Sequence, residues 1–291
     1  MKKNYGTLAI LSAGIIWGFM GVFVNLLKSL GFTAVQCTTL RVTSAALIFL
    51  IYTSVVNPKL LKIKLEDIPL LAATGMMGVG GTSLFYISCI DKTSLSVAVV
   101  LMYVSPVWVM LMSLVFLKDK FTWHKTLAAI LAFLGCWLVA GMGEVKINAG
   151  ILFGFASGIS YASYSIFGTF ALKRHNSLTV TTYAFLFGAL LMLIIGDVHG
   201  IIETVSVSGE VLKSTACALI TGLVTAVMPF MLYTKGLETV SAGKAAVVAC
   251  VEPLCASILG RVLYGEELNY LGIFLIIAAI LILQKKQRLQ N

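Results

Sequence analysis

One acidic residue in this chain stands where chemistry is expected. Glu252 lies in the middle of a long apolar stretch, immediately before Pro253. A carboxylate at the middle of a lipid bilayer is costly and demands a partner, water or a proton. Proline supplies no backbone donor and frees a carbonyl in the preceding turn, so a bend or local opening is expected beside the charge. Glu252 therefore reads two ways. It binds a cationic group of a ligand or takes up and releases a proton, or it belongs to a buried structural network. The first is the default for an ionisable group within a membrane.

Arg41 and Lys244 also fall inside apolar stretches. Arg41 is placed either to pair with Glu252 or attract a ligand carboxylate, or to snorkel outward to headgroups; Lys244 reads as snorkelling. Trp17, Tyr86, Tyr103, Tyr161, Tyr164 and Tyr233 are amphipathic aromatics that would stack on or hydrogen-bond a ligand in a cavity. Their plainer role is packing or a place in the interfacial belt. Pro106 and Pro229 are candidate helix breaks alongside Pro253, and Gly75, Gly78, Gly80 and Gly81 form a small-residue surface suited to close helix approach. His124, His175 and His199 are far apart, and the six cysteines lack metal-ligand spacing and read as buried thiols. No phosphate loop, nucleophile elbow or zinc motif is present. No catalytic set, metal or cofactor is expected, and the function class is not enzymatic.

Composition identifies the elements that must hold these residues. Of 291 residues, 59% are hydrophobic and only 11% charged, where a soluble domain needs roughly a quarter charged. A spanning helix takes about 20 mostly apolar residues. Stretches of that kind are Tyr5–Leu27, Thr33–Thr53, Ile68–Ile90, Leu95–Leu117, Trp123–Ala140, Ala149–Leu172, Leu178–Ile195, Val211–Thr234, Ser241–Leu263 and Leu268–Gln284. The first is too long for a signal-peptide core and reads as a retained helix. The longest connection is 196–210. Ten alternating helices with the N-terminus in the cytoplasm put 14 basic residues on inner segments and 5 on outer ones, which fits both termini inside and accounts for the net charge of +9 as an orientation signal.

The chain also repeats itself. Residues 86–137 slide onto 233–284 at an offset of 147 with no gap, and ten of 52 positions are identical. Tyr86 meets Tyr233, Ser94 meets Ser241, Pro106 meets Pro253, Asp119 meets Glu266, and Ser105 meets Glu252, which makes the site asymmetric. At an offset of 144 the first helices align as well, with Gly14 on Gly158 and Trp17 on Tyr161. Five helices is an odd number, so residues 145–291 re-enter the membrane from the side opposite to 1–144. The expected fold is all-α: ten transmembrane helices as two inverted five-helix repeats, with a site near the midplane between them.

The run Tyr233 to Leu254, which contains Glu252-Pro253, followed by Gly265-Glu266-Glu267, resembles the second repeat of the EamA family of the drug/metabolite transporter superfamily, and Ile16-Trp17-Gly18 resembles its opening helix. The resemblance implies a carrier in the cytoplasmic membrane with a central cavity, peripheral fifth and tenth helices, and often export of amino acids or other metabolites. The leading expectation is export of amino acids or related compounds by alternating access, driven by protons or the solute gradient. Uptake of a sugar or nucleoside is second, and an intramembrane lipid-handling role third. The partners expected are a small-molecule substrate, the lipid bilayer, coupling protons and a second copy in a homodimer, with no nucleic acid.

Overall fold

The computed structural model describes residues 2–118, 122–141, 148–265 and 267–289. The paired Asp119 and Glu266, with Lys120 and Lys146, lie outside the described residues. Among the described residues nine helices are long and apolar enough to cross a membrane. They are α1 (Tyr5–Lys28), α2 (Ala34–Val56), α3 (Leu65–Lys92), α4 (Leu95–Phe116), α5 (Trp123–Ala140), α6 (Ala149–Ala171), α7 (Ser177–Ile195), α8 (Val211–Leu237) and α9 (Ala242–Leu263). The apolar stretch Tyr270–Leu283 makes the tenth, α10. Ten spanning helices form two inverted repeats of five.

Lipid cannot hydrogen-bond a bare backbone, so the connections are short and the helix ends are capped by side chains. Thr33 and Gln36 close a reciprocal capping box on α2. Asn148 and Asn176 accept from Gly150 and Leu178 at 2.8 Å each to start α6 and α7. Within the helices, buried hydroxyls turn back on the preceding turn, as Thr39, Ser83 and Thr225 do. The expected polar connection 196–210 instead contains a helix, Val198–Ser208. Asp197 caps it, left-handed Gly209 ends it, and Ile201 and Val205 pack against the cluster around Leu27, Phe32 and Cys37. The acidic residues in and around that segment obscure its helical period, which Val198, Ile201, Ile202 and Val205 carry.

Packing follows the repeat. α3 lies on α6 as α8 lies on α1, while α2 pairs with α7 and α5 with α10 across the pseudo-two-fold axis. At the α5–α10 crossing the backbones approach so closely that a Cβ at Gly135 would sit 2.8 Å from the Gly272 carbonyl oxygen. Gly75 and Gly80 pack against α7, while Gly78 and Gly81 pack against α6.

The irregularities repeat too. α3 carries a π-turn at Met76–Gly81, and α8 carries one at Leu223–Val227, the same place at an offset of 147. α4 breaks after Met102 and resumes at Ser105; α9 breaks after Ala249 and resumes at Val251. Pro106 and Pro229 sit in the first turn of the segment after each interruption, where a missing N–H costs little, and Pro253 sits just after the break in α9. α1 also breaks, between Trp17 and Met20, whereas α6 runs through the corresponding positions unbroken.

Candidate functional site

The helix breaks converge on a cavity of about 280 Å³ between the halves. Trp17, Met20, Gly21 and Asn25 of α1 line it, with Thr38 and Arg41 of α2, Gly78, Ser83 and Tyr86 of α3, and Met102 of α4. The second half contributes Tyr161, Phe230 and Glu252. The cavity reaches the end of the bundle where α1 finishes at Lys28 and α2 and α4 begin at Ala34 and Leu95.

Each polar group is placed by a local feature. Glu252 is held in the first turn after the α9 break and is 7% exposed, and the Tyr103 side chain lies beside its carboxylate. Arg41 lies two turns into α2 and lines the cavity. It feels the Glu252 charge across that space, yet among the described residues neither forms an ion pair. An arginine and a carboxyl group thus face one small, mostly apolar space without a direct ion pair between them.

Aromatic rings build the floor. Phe230 is the hub, edge-on to Trp17 at 5.1 Å, to Tyr164 at 5.0 Å and to Phe185 at 4.9 Å between ring centroids. Sequence reasoning singled out Pro229 and passed over Phe230, whose only signal is its position directly after that proline. Trp17, Arg41, Tyr86, Tyr161 and Glu252 share the cavity wall. Tyr103 and Tyr233 are buried behind it, and Ser105 is a buried residue that does not line it. The Tyr233 ring tilts against Trp17 at 5.4 Å, and its hydroxyl lies 2.7 Å from Ser165 Oγ. Lys244 does not simply snorkel; its ammonium donates to Thr7 Oγ1 at 3.2 Å, tying α9 to α1.

The opposite end of the bundle is shut. Tyr164 Oη meets Thr234 Oγ1 at 2.7 Å, and Thr53 meets Thr182 at 2.8 Å. Thr179 and Tyr183 donate to the carbonyls of Leu60 and Leu61 at 2.9 and 2.7 Å. Asp67 accepts from Arg174 at 3.0 Å, and His175 Nε2 stands 3.1 Å from its other oxygen without hydrogen-bond alignment. Every one of these contacts except Tyr164–Thr234 joins residues 53–67 to residues 174–183. His175 therefore stands against Asp67 across the two halves, which its loop position did not announce.

Comparison with known proteins agrees with this architecture. The profile of the EamA-like transporter family matches twice, over residues 4–141 and 148–284. An uncharacterized transporter of Archaeoglobus fulgidus is 28% identical over 96% of both chains. The uncharacterized inner membrane transporter YicL of Salmonella typhimurium is 24% identical over 97% of this chain and 96% of its own length. The uncharacterized transporter YwfM of Bacillus subtilis is 26% identical over 100% of this chain and 97% of its own. A crystal structure with 14% sequence identity superposes with a TM-score of 0.77, covers 95% of this chain and 96% of its own, and shares the fold. A twofold profile match across nearly the whole chain, on a ten-helix inverted-repeat fold, means that this multi-pass membrane protein belongs to the EamA-like transporter family.

Proposed function

We propose that this transporter exports zwitterionic amino acids or close relatives by alternating access, with residues 1–144 and 145–291 rocking about the central cavity and both termini in the cytoplasm. The observation that carries the reading is that Arg41 and the Glu252 carboxyl line one cavity with no direct ion pair between them. A zwitterion matches both: its carboxylate to the guanidinium, its ammonium to Glu252, and its side chain to Trp17, Tyr161 and Phe230. Charged groups left unpaired in low dielectric are expensive, so a solute that satisfies both is favoured over one that satisfies neither. With the basic residues inside, the open end of the cavity faces outward and the shut end faces the cytoplasm. Glu252, when emptied of cargo, is the group placed to accept a proton for the return leg.

Counterflow of labelled L-amino acids into proteoliposomes tests this. Competitors that lack the carboxylate or the ammonium are expected to compete about tenfold less well than the parent amino acid, the worth of one charged hydrogen bond. Equal competition by the amine, the acid and the amino acid would remove the zwitterion reading.

A further inference from the structure

The two halves share a design but not a conformation, and the difference locates a gate. In the second half, α6 is zipped to α8: Ser165 Oγ lies 2.7 Å from Tyr233 Oη, and Tyr164 Oη lies 2.7 Å from Thr234 Oγ1. At the offsets of 144 and 147, these four residues correspond to Gly21, Tyr86, Met20 and Ile87 of the first half. There α1 and α3 stand apart, and all four line the open cavity. A Cβ placed on Gly21 would meet nothing within 4 Å. The α1 break between Trp17 and Met20 lies directly before this segment and supplies a joint.

We propose that the outer gate closes when the segment of α1 after that break brings Met20 and Gly21 onto Ile87 and Tyr86 of α3, while the α6–α8 seam of Tyr164, Ser165, Tyr233 and Thr234 opens in exchange. The proposal rests on the alternating-access reading above and goes beyond it to the residues that touch. Gly21 is the partner with no side chain because the Tyr86 ring must occupy the space where Ser165 needs only a hydroxyl contact with Tyr233. Each half then holds the shape the other has left.

Spin-label distances in the full chain, with native cysteines replaced, test the exchange without any solute. Labels at Val24→Cys and Ile90→Cys report the outer mouth, and labels at Phe170→Cys and Glu238→Cys report the inner seam. Weakening the seam with Ser165→Ala plus Tyr233→Phe is expected to raise a population with a short outer and a long inner distance on the order of fivefold. Adding Gly21→Trp is expected to abolish the short outer distance. Unchanged distances, both ends opening together, or closure that survives Gly21→Trp would each overturn the gate. If Gly21→Trp does not accumulate as folded protein, oxidative cross-linking of Met20→Cys with Ile87→Cys decides. Cross-linking about fivefold faster in the weakened-seam background supports the gate, and equal rates overturn it. Amino-acid counterflow is scored separately. Its absence with the distance exchange intact removes the proposed cargo and leaves the gate standing.

Discussion

At the scale of single residues, the site depends on where charge is left exposed to a small apolar space. Glu252 gains its position from the α9 break, with the Tyr103 side chain beside its carboxyl group. Replacing Glu252 with Gln keeps the shape and removes the charge, so uphill transport in proteoliposomes should fall roughly 10- to 100-fold while the protein still inserts and elutes as a folded species. Unchanged uphill transport across a range of pH would take Glu252 out of the mechanism. Replacing Arg41 with Met should weaken amino-acid competition while sparing competition by a simple amine. Residues of this kind are legible in a sequence because an ionisable group inside an apolar run has few innocent explanations. Phe230, Gly21 and His175 were not legible. A phenylalanine in a hydrophobic helix carries no mark of its neighbours, and a glycine shows nothing of the empty space around it. His175 sits at a helix end whose partner, Asp67, is 108 positions earlier.

At the scale of helices, the ten spans and the repeat were readable because lipid imposes length and apolarity on every crossing segment. The breaks in α4 and α9 were partly readable through Pro106 and Pro253. The matched π-turns in α3 and α8 were not, since a π-turn is set by packing on a neighbour and has no residue signature as strong as proline. The helix Val198–Ser208 was misread as polar connection because it is short and the His, Glu, Thr and Ser residues among its apolar positions mask the i, i+3, i+4, i+7 spacing of Val198, Ile201, Ile202 and Val205. The α5–α10 crossing makes the sharpest prediction at this scale. Gly135→Leu would force a side chain into the space held by the Gly272 carbonyl and Ile276. It should destabilise the protein by about 1–3 kcal/mol, seen as a lower melting temperature in detergent, with little change in substrate competition because the cavity is lined by other helices. Gly209→Ala, by contrast, meets no neighbour, and its cost arises only from a left-handed backbone at φ 65°.

At the scale of the whole molecule, the cavity is open at one end and laced shut at the other by bonds between the halves. The Asp67 carboxylate, whose side chain is 5% exposed, anchors that lacing through Arg174 and His175. Asp67→Asn should shift the population toward opening at this end about fivefold, read as faster thiol labelling of Tyr183→Cys in a cysteine-free background. Orientation is tested independently with an impermeant maleimide. Lys213→Cys should label in intact cells, whereas Lys59→Cys should label only after permeabilisation; the reverse pattern would invert the assigned sidedness. One feature separates the halves mechanically. The connection between α7 and α8 holds a full helix with Ile202 and Val207 exposed, and Leu212 stands 85% exposed just beyond it, while the matching connection between α2 and α3 forms only short 3-10 turns. An amphipathic helix of that kind floats at the boundary of water and lipid. Its other face, Ile201 and Val205, packs on Leu27, Phe32 and Cys37 of the first half, so this surface helix ties the connection between α7 and α8 to the mouth formed by α1 and α2.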